Sequence, residues 1–248
     1  MYKFFVEEEQ IDDKIIKIIG QDVNHIKNVL RLEIGENICV CNKKTSSSFI
    51  CKILEFNNNE VKCNVLEEIL ETTETKTYIH IFQGLPKADK MEYIIEKCTE
   101  IGVKEITPVI MKRTIVKLEE KDKVKKLDRW NKIAEVASKQ SKRDTILKVN
   151  KIINLKQIFE KLSDYDILLV AYENEDKNTL KKVLCDFKND KENLKVAVVI
   201  GPEGGIDETE INSLKIEGFK TVTLGKRILR TETASLVIAS NILYELEE

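Results

Sequence analysis

The sequence has little of what several common functions require. Its apolar runs stop at about five residues, as in Val196 to Ile200, against the ~20 that a membrane-spanning helix needs. The opening stretch MYKFFVEEEQ has no apolar segment before its acids, so no secretory signal is expected. Six cysteines, at 39, 41, 51, 63, 98 and 185, form no Cys-x-x-Cys pair, and without export they are expected as reduced thiols in the cytoplasm. Two histidines are too few for a histidine metal cluster. The spacings among Cys39, Cys41, Cys51 and Cys63 are not those of a zinc ribbon, so no metal is expected. The Gly-x-Ser-x-Gly elbow, the Gly-x-Gly-x-x-Gly fingerprint and the Gly-Lys-Ser/Thr phosphate loop are all missing, which removes the usual signatures of serine hydrolases, dinucleotide enzymes and P-loop NTPases.

What is present fits a globular protein of one large or two smaller domains. The 248 residues are 42% hydrophobic and 34% charged, enough to bury a core without disulfides or metal. Net charge is −2, but it is unevenly spread. Residues 1–75 carry 9 basic and 14 acidic side chains, whereas residues 112–143 carry 12 basic and 5 acidic. A polyanion responds to such a local patch more than to the total; the other reading of the patch is a solvated helix face.

Residues 1–70 read as a small β-barrel module. Expected strands are Lys3–Val6, Asn37–Cys41, Ser48–Glu55 and Glu60–Glu67, with alternation in Ile38 and Val40 and in Phe49, Cys51 and Ile53. One helix, over Asp22–Arg31, interrupts them. The polar run Glu67–Lys76 reads as a linker. From 76 to 248 strands and helices alternate, which implies a mostly parallel α/β sheet. The expected strands are Thr77–Gln83, Glu105–Ile110, Asp166–Tyr172, Lys195–Ile200 and Thr221–Leu224. The expected helices are Ala88–Ile101, Lys121–Lys142, Thr179–Asp186, Asp207–Glu217 and Thr231–Leu246.

Two segments combine strand ends with glycine. Ile200-Gly-Pro-Glu-Gly-Gly-Ile-Asp207 runs from an apolar strand through three glycines to a helix start, where Asp207 and Glu210 have capping-box spacing. Leu224-Gly-Lys-Arg-Ile-Leu-Arg-Thr-Glu-Thr-Ala234 repeats the pattern with basic residues, and Thr231 reads as its N-cap. Loops outside the carboxyl ends of parallel strands are where open α/β sheets bind ligands, and these two could line one crevice. Arg227 and Arg230 could hold an anion. Gly84-Leu-Pro-Lys-Ala-Asp-Lys-Met-Glu-Tyr93 adds Lys87 and Lys90 at a helix start, where the helix dipole disfavours cations.

Taken in order, these segments resemble one family, the ribosomal RNA small subunit methyltransferase E family of the SPOUT class. The matching stretches are His25-Ile-Lys-Asn-Val-Leu-Arg31, Lys87-Ala-Asp-Lys-Met-Glu92, Glu100 to Pro108, Arg113, Trp130-Asn-Lys-Ile133, Lys139-Gln-Ser-Lys-Arg143, Ile200 to Gly205 and Leu224 to Ala234. They span residues 25–234, and Leu147 departs from the proline expected there.

The resemblance implies a PUA-like or OB-like β-barrel over residues 1–70 and, over 76–248, an α/β domain with a deep trefoil knot. It implies a homodimer that uses S-adenosylmethionine to methylate N3 of one uridine in 16S ribosomal RNA of the small ribosomal subunit. Ile200, Gly201, Pro202, Glu203, Gly204, Gly205, Leu224, Gly225, Ile228, Leu229 and Ala234 would hold the donor. Arg230 would hold an RNA phosphate or stabilise the uridine anion, and Glu232 would be an orienting acceptor or a helix-cap acid. His25, Arg31, Lys87, Arg113, Lys139, Gln140, Lys142 and Arg143 would contact RNA. The alternatives are a related SPOUT enzyme acting on ribose 2′-O or tRNA, and a non-catalytic RNA-binding module.

Overall fold

The computed structural model describes residues 1–187 and 193–247. The chain divides into two units, one formed by residues 1–74 with 138–146 and the other by 75–137 with 147–248.

The N-terminal unit contains β1 (Lys3–Val6), β2 (Ile11–Asp12), β3 (Ile15–Ile19), a short α1 (Gln21–Asn24) that widens into a π turn (His25–Val29), β4 (Asn37–Asn42), β5 (Ser48–Phe56) and β6 (Glu60–Ile69). The expected strands are found, with β4 and β5 each one residue longer and β6 two residues longer. Strands β2 and β3 were not anticipated, although Ile16 and Ile18 point inward with Lys17 between them. The strand order is β1-β4-β5-β6-β3-β2, with β1 parallel to β4 and every other pair antiparallel. No pairing among the described residues joins β1 to β2, so the sheet is an open path. Its core holds Phe4, Val6, Ile18, Ile26, Ile38, Val40, Ile53 and Val61.

A buried polar hub ties residues 138–146 into this unit. Asp144 accepts from Lys3 Nζ at 2.5 Å, Ser48 Oγ at 2.6 Å and the Thr73 backbone N–H at 2.8 Å. Beside it, Glu74 accepts from Arg143 Nη2 at 2.8 Å and from the backbone N–H groups of Asp144 and Thr145.

The second unit follows the expected alternation: β7 (Tyr78–Gly84), α2 (Lys90–Ile101), β8 (Glu105–Ile110), α3 (Glu120–Gln140), β9 (Lys148–Val149), β10 (Ile153–Asn154), a 3-10 segment (Leu155–Asp164), β11 (Ile167–Ala171), α4 (Leu180–Cys185), β12 (Lys195–Ile200), α5 (Glu208–Ile216), β13 (Lys220–Val222) and α6 (Thr231–Leu246). The sheet is parallel in the order β10-β8-β7-β12-β11-β13, with β9 also on β8. Buried on both faces, β12 is nearly all apolar, as parallel strands are. Leu147, where proline was expected, is fully buried just before β9. No helix among the described residues is long and apolar enough to cross a membrane.

Candidate functional site

The order of strands decides which loops meet. β12 and β13 are consecutive in the chain but flank β11, so the carboxyl ends of three neighbouring strands face one space.

After β12 the chain turns over Gly201–Gly205, closed by the Gly205 N–H donating to the Pro202 carbonyl at 2.9 Å. Gly205 has φ +71, a conformation that side chains disfavour. Asp207 then caps α5 through the anticipated capping box with Glu210. The loop lies directly on the end of β7. A Cβ added to Gly84 would come within 2.5 Å of the Pro202 nitrogen, and one on Gly201 within 2.8 Å of Ile206 Cγ1. The loop therefore touches the strand because Gly84 has no side chain, and it folds back on itself because Gly201 has none.

The second loop leaves β13 and runs to α6. Gly225 has φ +118, and a Cβ there would meet nothing within 4 Å. Thr231 is not the N-cap: Arg230 occupies that position without a side-chain cap bond. The Thr231 hydroxyl is used elsewhere, donating to the Gly201 carbonyl at 2.6 Å and accepting from Gln83 Nε2 at 2.9 Å. Ser235 Oγ donates to Gln83 Oε1 at 2.5 Å. Fully buried Gln83, at the end of an apolar strand, thus joins the first loop to the start of α6. A buried polar residue before a glycine was the available signal for it, and the sequence reading missed it.

The two loops line one cavity of about 540 Å³. All eleven residues expected to hold a donor line it: Ile200 to Gly205, Leu224, Gly225, Ile228, Leu229 and Ala234, together with Arg230. Residues not anticipated also line it: Ala171, Tyr172 and Glu173 from the end of β11, and Lys90 from α2. Ile228 is 85% exposed at its rim. Lys90 Nζ lies 3.1 Å from Glu203 Oε1 and 3.4 Å from Glu232 Oε2. Burial acts to raise the Glu203 carboxyl, but N–H donors including that of Lys87 and the Lys90 ammonium leave it below the usual range.

Gly225→Ala separates backbone conformation from contact. The added methyl group meets nothing, so the expected loss comes from φ alone, about 1–3 kcal/mol. We expect a lower melting temperature together with weaker binding in the cavity, read by calorimetry with S-adenosylmethionine. An unchanged protein in both measurements would remove this loop from the site.

The residues expected on RNA are placed less uniformly. His25, Arg31, Gln140 and Lys142 are exposed on the N-terminal unit, and Lys87 is exposed on the second. Arg113 is exposed as well but also donates to the Gly204 carbonyl at 3.1 Å, bracing the glycine loop. Two expectations need correction. Arg143 is 4% exposed and ion-paired with Glu74, so its guanidinium is committed to a carboxylate inside the protein. Lys139 is likewise committed, with its Nζ 2.8 Å and 3.0 Å from the two oxygens of Asp22.

At the opposite, amino end of the sheet lies a second cavity of about 600 Å³. Its polar groups satisfy one another: His80 bonds Tyr165 and Thr107, while Glu105 accepts from Tyr78, Asn150 and Lys148. Burial would raise the Glu105 carboxyl, but the His80 charge and these donors hold it at about 2. No group of three or more His, Cys, Asp or Glu among the described residues could hold a metal ion.

The family described as RNA methyltransferase domain matches residues 73–243, and the RNA methyltransferase PUA domain matches residues 18–66. The ribosomal RNA small subunit methyltransferase E of Bacillus subtilis (strain 168) is 35% identical over 100% of this chain and 98% of its own length. That of Mesomycoplasma hyopneumoniae (strain 232) is 34% identical over 98% of this chain and 99% of its own length. Among solved structures, a ribosomal RNA small subunit methyltransferase E from Neisseria gonorrhoeae bound to S-adenosyl methionine has a TM-score of 0.85 at 29% identity, covering 98% of this chain and 97% of that one.

Proposed function

Because the chain belongs to the ribosomal RNA small subunit methyltransferase E family, we propose that it uses S-adenosylmethionine to methylate N3 of one uridine in 16S ribosomal RNA. The observation that carries this reading is the convergence of both glycine loops on one cavity at the carboxyl end of the sheet. The cavity suits a ligand that presses on main chain, since Gly201, Gly204, Gly205 and Gly225 line it without side chains and Gly225 sits in glycine conformation. Glu232, between the lining residues Thr231 and Ala234 but not itself among them, keeps its Oε2 shielded from solvent and 3.4 Å from the Lys90 ammonium.

When bound, S-adenosylmethionine supplies a methyl carbon whose bond to a positively charged sulfur breaks as the acceptor nitrogen's electron pair arrives. The protein's contribution is alignment, which needs no covalent nucleophile. Ile200 to Gly205, Leu224, Gly225, Ile228, Leu229 and Ala234 hold the donor largely through main chain and apolar walls. The N3 proton leaves to the Glu232 carboxylate, and Arg230, exposed at the rim, stabilises the uridine anion. N3 is hidden in a base pair, so the target uridine is unpaired or flipped. The reading includes the SPOUT trefoil knot and a closed N-terminal barrel. It also includes a homodimer with each cavity near the subunit interface.

The direct test is transfer from labelled S-adenosylmethionine to purified small ribosomal subunits, with the product nucleoside identified. N3-methyluridine is expected; a methyl group on a ribose 2′-oxygen or only on tRNA would redirect the assignment. For RNA, Arg31→Ala with Lys142→Ala should weaken binding and lower the slope of log K against log salt by roughly 0.7–0.9 per lost phosphate contact. An unchanged slope would place the RNA elsewhere.

A further inference from the structure

We infer that Lys90 is a positioning residue that clamps the two lips of the donor cavity together. It does so by bridging the carboxylates of Glu203 in the glycine loop and Glu232 in α6 with a single ammonium. The inference rests on the functional reading above and concerns a residue outside the set that the sequence pointed to as donor-binding.

The position is unfavourable by local rules, which calls for a reason. Lys90 is the first residue of α2, where the helix dipole disfavours a cation, and its N-cap Asp89 makes no side-chain cap bond. Ala88, two residues earlier, holds φ +51, an uncommon conformation for a residue with a Cβ. This strained turn delivers the Lys87 backbone N–H to Glu203 Oε1 at 3.0 Å and the Lys90 ammonium to the same oxygen at 3.1 Å. The ammonium also reaches Glu232 Oε2, which is shielded from solvent and has no hydrogen-bond partner. The ion pair with Lys90 at 3.4 Å therefore holds that oxygen. Without Lys90 the two carboxylates would face each other uncompensated, and like charges at close range repel. The lips they belong to, Gly201–Gly205 and the first turn of α6, would separate.

The Lys90 side chain is about a third exposed, so its loss should leave folding largely intact. The test is calorimetric titration of S-adenosylmethionine into the RNA-free protein. Lys90→Met is expected to weaken binding about tenfold, Lys90→Arg to stay within about threefold of wild type, and the Glu203→Gln/Lys90→Met pair to recover part of the loss because one repelling charge is gone. The same order is expected in kcat with small subunits as substrate. Donor binding equal in wild type and Lys90→Met would overturn the clamp. So would a pair no better than Lys90→Met, or a Lys90→Arg that fails alongside Lys90→Met with a collapsed melting temperature, both of which describe a plain structural strut. A wild-type protein that binds no donor at all is a different failure, one that removes the functional reading itself.

Discussion

Gly84→Ala is expected to weaken donor binding ~5- to 150-fold in a protein that still folds. The residue ends β7, where the chain leaving β12 crosses it, and an added Cβ would sit 2.5 Å from the Pro202 nitrogen and 2.8 Å from the Gly201 carbonyl carbon. Both neighbours are backbone, so no side-chain rotation relieves the overlap. The glycine loop must move away from the strand, taking with it the Gly201 carbonyl that Thr231 holds. Overpacking of this kind costs about 1–3 kcal/mol. If that strain falls on the bound geometry, affinity drops ~5- to 150-fold. Calorimetry with S-adenosylmethionine measures the drop, and thermal unfolding monitors the fold. Wild-type affinity in a folded Gly84→Ala protein would show that the loop is not part of the binding surface.

Asp144→Asn is expected to destabilise the N-terminal unit by about 3–5 kcal/mol, the usual cost of removing one partner of a buried ion pair. The side chains of Asp144 and Lys3 are only 5% and 6% exposed, so the variant leaves an ammonium buried without its counter-charge. It also presents an amide to Ser48, Thr72 and Thr73, all of which donate to this carboxylate. Burial acts to raise the Asp144 carboxyl, but Lys3, Ser48 and Thr73 lower it further and leave it well below the ordinary aspartate range. A carboxyl depressed in the folded state stabilises above its unfolded value of ~3.9 and loses that contribution as pH falls through its lowered value. Denaturant unfolding should therefore show a smaller deficit for the variant as the pH is taken below 4. A constant deficit at every pH would mean that the carboxylate's charge contributes nothing.

The sheet and both glycine loops were legible because their signals are local. An apolar run ending in glycine before a capped helix start marks a strand end, and β8, β12 and α6 fall on the expected residues. Contacts between distant parts of the sequence were not legible. The run 112–143 read as one basic patch because the acids that occupy two of its members lie far away, Asp22 for Lys139 and Glu74 for Arg143. Thr231 read as a cap because its type and position fit one, whereas tertiary contact gives its hydroxyl to Gly201. The 3-10 segment Leu155–Asp164 and the two-residue strands β9 and β10 are too short or too irregular to produce a periodicity. Lys90 stood out only as a cation at an unfavourable helix start, since only the fold brings Glu203 and Glu232 to it.

The most direct measurement of the central claim is a crystal structure of the protein grown with S-adenosylmethionine. The account predicts the adenosine and methionine parts between Gly201–Gly205 and Leu224–Leu229, with the methyl group facing Arg230 and Glu232. Donor bound instead in the cavity lined by His80, Glu105 and Tyr165, or absent from both at saturating concentration, would contradict it.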